Sequence, residues 1–166
     1  MAFDVQNVLA KDGEDDMPKR WSKLQKRLYN IIDSAAEFQI HCALYEMNSN
    51  DGYHGNKLPR YWITIGKEIV FDYPKDFDTS WKYGKTSYPW DTDISEITEL
   101  INEYIQTPKK KIMQPFENDK WGLTDILRAC DRRIGKRTLK QMKDNIDNDK
   151  IILIIDKRMG INLFDE

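Results

Sequence analysis

The sequence predicts an α+β domain: a small antiparallel sheet of about three strands within residues 37–72, covered by amphipathic helices. Three observations carry that reading. Residues 38–44 alternate apolar and polar side chains, residues 61–72 form two β-rich runs about a Gly-Lys turn, and helical periodicity dominates on either side. At 166 residues the chain suits one domain with a real core, so 17–166 is read as a single α+β unit.

Residues 1–16 read as an acidic N-terminal arm, at best a short helix around Val5–Ala10. Asp4, Asp12, Glu14, Asp15 and Asp16 stand there against Lys11 alone, so the arm contributes −4 to a net charge of −2 and leaves the remainder mildly basic. Met17, at this boundary, reads as a candidate alternative start. From Lys19 to Ile32 the apolar residues Trp21, Leu24, Leu28, Ile31 and Ile32 recur at helical spacing among Lys19, Arg20, Lys23, Lys26 and Arg27, which makes an amphipathic, basic helix. Phe38, Ile40, Cys42 and Leu44 then share one face of a strand. A polar loop leads to Tyr61–Ile65, the turn Gly66-Lys67 and Glu68–Asp72. Glycine first in a two-residue turn suits a type II′ hairpin, whose register sets Trp62 opposite Phe71 and Ile63 opposite Val70.

After the aromatic connection 73–90, Asp93 and Glu96 resemble a capping box, and Ile94, Ile97, Ile101, Tyr104 and Ile105 define a helix that Thr107-Pro108 halts. A short helix is expected over Lys109–Gln114. Leu123, Ile126, Leu127, Cys130 and Ile134 give the cleanest helical signal, with Gly135 as its C-terminal residue or a kink. Leu139, Met142 and Ile146 continue an apolar stripe. The tail 150–159 fits strand or helix; the polar start at Asp147–Asp149 and a shared face of Ile151, Ile152, Ile155 and Met159 favour helix.

Several function classes lose their signatures. Mean hydropathy is −0.73, no apolar run exceeds the five residues Ile151–Ile155, and no basic start with an apolar stretch opens the chain. A membrane protein is not expected. Cys42 and Cys130 form no CxxC, so a reducing cytoplasm fits best and neither a disulfide framework nor a cysteine zinc site is encoded. The eight glycines supply no phosphate-cradling loop, and no nucleophile elbow occurs. Glu68 and Asp72 share one face of a regular strand with Lys75 beyond, yet the chain has no Asp-x-Lys or Glu-x-Lys of a metal-dependent nuclease. His41 and His54 flank Cys42, but strand parity turns Cys42 away from His41 and into the core. No metal, no cofactor and no catalytic residue is assigned.

Two surfaces carry positive signals. The first is basic: Arg128, Arg132, Arg133, Lys136, Arg137, Lys140 and Lys143 place seven cations in sixteen residues, helically opposite the apolar face. A helix-turn-helix fits this stretch poorly, because the first helix runs too far past Ala129. The second is aromatic: Tyr73, Phe77, Trp81, Tyr83, Tyr88 and Trp90 place six rings in an eighteen-residue connection, a composition shared with protein-interface anchors.

Trp21-Ser-Lys-Leu24, Arg60–Ile69 and Asp131–Arg137 together resemble an uncharacterised family of small bacterial proteins over roughly residues 17–160. The resemblance implies a bacterial cytoplasmic origin and transfers no activity; the acidic arm departs from the pattern.

The function expected is therefore a non-enzymatic intracellular binding protein of the bacterial antitoxin or immunity kind. It would recognise a protein partner through the six rings and the adjacent hairpin. The alternative is nucleic-acid binding through the basic helices 19–27 and 128–143, using Lys23, Arg27, Arg128, Arg132, Arg133, Lys136, Arg137 and Lys140. A third class is an enzyme using Arg132, Arg137 and His41 on a phosphorylated substrate.

Overall fold

The computed structural model describes residues 2–4, 17–48, 54–73 and 95–161. Four strands form one antiparallel sheet in chain order: β1 (Ala2–Asp4), β2 (Phe38–Asn48), β3 (His54–Ile65) and β4 (Glu68–Tyr73). Five helices are described: α1 (Met17–Tyr29), α2 (Ser95–Gln106), α3 (Leu123–Cys130), α4 (Lys136–Asn145) and α5 (Asp149–Met159). The fold is α+β, and none of these helices is long and apolar enough to cross a membrane. Three strands were expected; the fourth is β1, which lies inside the expected acidic arm and pairs with Ala43–Tyr45 of β2.

One face of the sheet is buried. Phe38 and Ile40 of β2, Tyr61, Ile63 and Ile65 of β3, and Phe71 and Tyr73 of β4 join a cluster with Trp21, Leu24 and Leu28 of α1 and Ile97, Leu100, Ile101 and Tyr104 of α2. Fully burying an aliphatic side chain contributes about 1.5–3 kcal/mol, so this layer is one large source of the driving force, beside the helical half. Trp21 meets Tyr61 edge-on at 5.3 Å, and the Tyr61 and Thr98 hydroxyls are 2.9 Å apart. Helix α1 also finishes the sheet edge. Among the described residues β1 pairs only with Ala43–Tyr45, and at Ile40 side chains of α1 serve that edge: the Gln25 amide donates to Ile40 O at 2.9 Å, and Ile40 N–H donates to the Tyr29 hydroxyl at 3.2 Å.

The β3–β4 hairpin turns at Gly66, whose φ of 58° supplies the positive angle that a type II′ turn needs at its first central position. Next to the turn the register is as expected. Beyond it a bulge intervenes at Val70, so Ile63 faces Phe71 rather than Val70, and Trp62 faces Asp72 rather than Phe71. The reason lies in the sequence Val70-Phe-Asp-Tyr73. Strict alternation after a buried Val70 would expose Phe71 and Tyr73 and bury Asp72; one extra residue reverses the parity and sends both rings inward. Glu68 and Asp72 consequently do not share a face: Glu68 pairs with Ile65, whose side chain is buried, and Asp72 with the outward Trp62.

In the helical half, α3 ends at Cys130 instead of continuing to Ile134. Asp131 is extended (φ −73°, ψ 118°) and forms an antiparallel bridge with Ile32, while Asp33 N–H donates to Cys130 O and Arg132 N–H to Ile31 O, both at 2.8 Å. These cross-chain bonds replace the next helical turn. Ile134 is still buried, delivered by the connection, and Gly135 begins α4 rather than ending α3. The start of α3 is held by Asp119, whose carboxylate accepts from the backbone N–H groups of Leu123 and Thr124 at 3.1 and 2.9 Å. Lys109–Lys111 forms a single 3₁₀ turn, shorter than the helix expected there. The tail is helix α5, with the Asn148 side chain capping Lys150 and Ile151 and Gly160 closing it at φ 72°. Its buried face is Ile151, Ile154 and Ile155; Ile152, assigned to that face from spacing, is only half-buried.

Candidate functional site

Two surfaces emerge from this frame. The first is the outer sheet face, which the described helices leave to the strands. Register fixes its members: His41 of β2 faces Trp62 of β3, which faces Asp72 of β4, and Thr64 faces the exposed Ile69. The His41 and Trp62 rings stack at 4.9 Å with an interplanar angle of 16°, and the Arg60 guanidinium lies 4.7 Å from the centroid of the Trp62 ring. Arg60 in turn makes a two-pronged bond to Asp72, from Nε at 2.8 Å and Nη2 at 2.7 Å. A Trp flanked by an imidazole and a charge-compensated guanidinium is thereby held in one rotamer before any ligand arrives.

His41 is committed to this row. Its Nε2 is 3.3 Å from Thr64 Oγ1, and burial holds the imidazole below the ordinary histidine pKa, which favours the neutral ring at physiological pH. The other sequence-derived nucleophile and metal candidates do not converge with it. Cys130 is fully buried and burial pushes its thiol well up, while Cys42 packs against the core. Among the described residues, no group of three His, Cys, Asp or Glu side chains is placed to hold a metal ion.

The second surface is basic, and the fold divides the seven-cation stripe. Arg128 does not lie on a solvent face: it is buried, donating from Nε to Ile112 O at 2.9 Å, from Nη2 to Gln114 O at 2.6 Å and from Nη1 to Asp125 at 2.7 Å. Arg133 forks onto the buried Asp131 and donates from Nη1 to Thr107 O at 3.1 Å. Lys143 pairs with Asp156 at 2.6 Å. Arg132, Lys136, Arg137 and Lys140 remain exposed, as do Lys23, Lys26 and Arg27 of α1, the last donating to Asn102. Spacing missed these three structural roles because the acceptors Ile112 O, Gln114 O, Thr107 O and Asp156 lie outside the stripe.

The fold also adds cations that the stripe did not include. Lys109, Lys110 and Lys111 are all exposed on their 3₁₀ turn, two residues beyond the Thr107 carbonyl that Arg133 holds. Acids gather elsewhere: Glu96, Glu99 and Glu103 of α2 line a groove of about 170 Å³ with Leu100, Asn118 and Lys120. Of the six rings in 73–90, Tyr73 is buried in the core with its ring edge-on to Trp121 at 5.8 Å. Phe77, Trp81, Tyr83, Tyr88 and Trp90 lie outside the described residues.

The sequence profile of the SF0329 protein family matches residues 20–96 and 91–159. The chain belongs to that family. The matched stretch takes in all five helices except the start of α1, as well as strands β2–β4, so the SF0329 family pattern coincides with the sheet and its helical cover. Both surfaces fall within it. No curated protein and no solved structure matches this SF0329 family member.

Proposed function

We propose that this SF0329 family member is a binding protein that recognises a protein partner, in the manner of a bacterial cytoplasmic antitoxin or immunity protein. The outer sheet face and the aromatic segment continuing from β4 form its recognition surface. The observation that supports this reading is the His41–Trp62–Arg60–Asp72 row. Tryptophan and arginine dominate the energetic centres of protein interfaces, because each brings a large contact area at little entropic cost once its rotamer is held. Tyr73 is buried and leaves this set, while Phe77, Trp81, Tyr83, Tyr88 and Trp90 follow the row in the chain.

The test is a reconstituted complex. A partner co-purifying at fixed stoichiometry from the native host is produced alone, and calorimetry measures its affinity for wild type, Trp62→Ala and Trp81→Ala. Truncation of an anchoring ring is expected to weaken binding at least about thirtyfold, the effect of losing about 2 kcal/mol. Unchanged affinity in both variants rules out this surface.

A further inference from the structure

Charge pairing in this molecule is sharply divided. Lys120, Lys143, Lys157, Arg60, Arg128, Arg133 and Arg158 each have a carboxylate within salt-bridge distance. Among the described residues, twelve exposed cations have none: Lys23, Lys26, Arg27, Lys67, Lys140 and Lys150 are scattered, whereas Lys109, Lys110, Lys111, Arg132, Lys136 and Arg137 are grouped. They come from three short stretches that the fold ties together. Arg132 N–H donates to Ile31 O at 2.8 Å, and the guanidinium next to it, that of Arg133, donates to Thr107 O at 3.1 Å, just before the three lysines. Lys136 and Arg137 open α4 four residues further on.

The acid nearest in sequence does not offset this charge. Asp131 is wholly buried, and its carboxylate is taken up by the Arg133 guanidinium, the Arg133 N–H and the Tyr104 hydroxyl. A net charge of −2 for the whole chain thus conceals a local excess of six cations held at the junction of three backbone segments.

We infer that this junction, formed by Lys109–Lys111, Arg132, Lys136 and Arg137, is a second binding site that takes the phosphate backbone of a nucleic acid. The chemistry is that of charge without base readout: point-charge lysines and two arginines able to fork onto phosphate oxygens. An anionic lipid surface fits less well. It would use an apolar face beside the cations, and among the described residues Met113 is the one large exposed apolar side chain adjoining the lysine turn. The site is separate from the outer sheet face, so it does not depend on the protein-partner reading.

The experiment is fluorescence anisotropy of the full chain with a labelled DNA duplex and the matching RNA duplex across a salt series, beside flotation with phosphatidylserine vesicles. Binding to a duplex is expected to weaken with salt at a log–log slope of about −5, as six cations each neutralising about one phosphate would give. Charge reversal at Lys109, Lys110 and Lys111 together should weaken binding at least about tenfold and reduce that slope by about 3; Arg132→Ala should reduce it by about 1. Trp62→Ala should bind the duplex as wild type does. The four cationic side chains are exposed, and circular dichroism verifies that each variant, Trp62→Ala included, folds. Absence of duplex binding at low salt overturns the inference. So does reversed-charge protein that binds like wild type, or flotation with vesicles without duplex binding.

Discussion

Asp131 and Arg133, two positions apart, face each other across a single turn: Arg133 Nη2 lies 2.7 Å from Asp131 Oδ2, and Nε reaches both carboxylate oxygens, at 3.0 and 3.1 Å. The pair is the joint of the helical half. Its carboxylate ends α3 and accepts the Tyr104 hydroxyl of α2 at 2.8 Å, and its guanidinium reaches the Thr107 carbonyl just after that helix. The hydrogen bonds to Asp131 hold the Arg133 guanidinium firmly protonated.

Asp131→Asn should therefore be among the most destabilising conservative changes in the chain. It keeps the shape but leaves Arg133 without its counter-charge and sets an amide NH2 against donors that the carboxylate oxygen had accepted from. Losing one partner of a buried ion pair costs about 3–5 kcal/mol, and the lower end applies because Arg133 retains some exposure. Urea unfolding should show a midpoint lowered by an amount corresponding to about 3 kcal/mol with an unchanged slope. A loss below about 1 kcal/mol would show that water replaces the carboxylate.

This joint also marks where sequence reading stopped. The apolar spacing of Leu123, Ile126, Leu127 and Cys130 specifies a buried helix face, and those residues are buried. Ile134 extends the same spacing by one more turn, although it enters the core from an irregular connection. Periodicity reports which side chains are inside and is silent on the backbone that delivers them. The same holds for the apolar run Ile69-Val70-Phe71, whose spacing does not show where the bulge reverses its phase. Tertiary partners decide the basic stripe: nothing in the spacing separates Arg128, which bonds two carbonyls sixteen and fourteen positions away, from Arg132, which is exposed. The α+β class, the Gly66 turn and helix α5 were legible because each rests on local chemistry.

Gly66→Ala tests the hairpin turn. With φ at 58°, an alanine there adopts the left-handed region at a cost of about 1–2 kcal/mol. Its Cβ would also come within 3.2 Å of both Glu37 Oε2 and Lys157 Nζ, the pair that docks α5 on the turn before β2. The expected thermal midpoint is lower by several degrees, and the loss should shrink in a Lys157→Met background, where the pair no longer crowds the site.

His41 predicts a specific pH response. Burial lowers its folded-state pKa below the ordinary 6.5, so the unfolded chain binds the proton more tightly. Stability contributed by this residue is complete above the unfolded value and falls as pH drops through 6.5 toward the folded value. His41→Gln should flatten that part of the stability profile in chemical denaturation, and the imidazole carbon shifts of wild type should titrate below 6.5 in NMR. Titration above that value would mean that the stack on Trp62 stabilises imidazolium more than burial disfavours it.

Arg128→Lys separates structural from phosphate-binding arginines. The guanidinium serves three acceptors at once, Ile112 O, Gln114 O and the Asp125 carboxylate, and its Cζ lies 5.4 Å from the centroid of the Phe116 ring. An ammonium keeps the charge but has neither the planar fork nor the reach to serve two carbonyls and a carboxylate together. One or two buried carbonyls then lose a donor at about 1–3 kcal/mol each, so a loss of about 2 kcal/mol is expected in urea unfolding. Because the side chain points into the connection 112–116 and not toward solvent, the salt dependence of duplex binding should not change. A variant with normal stability and a shallower salt slope would place Arg128 on the phosphate surface and require the 112–116 connection to open when nucleic acid binds.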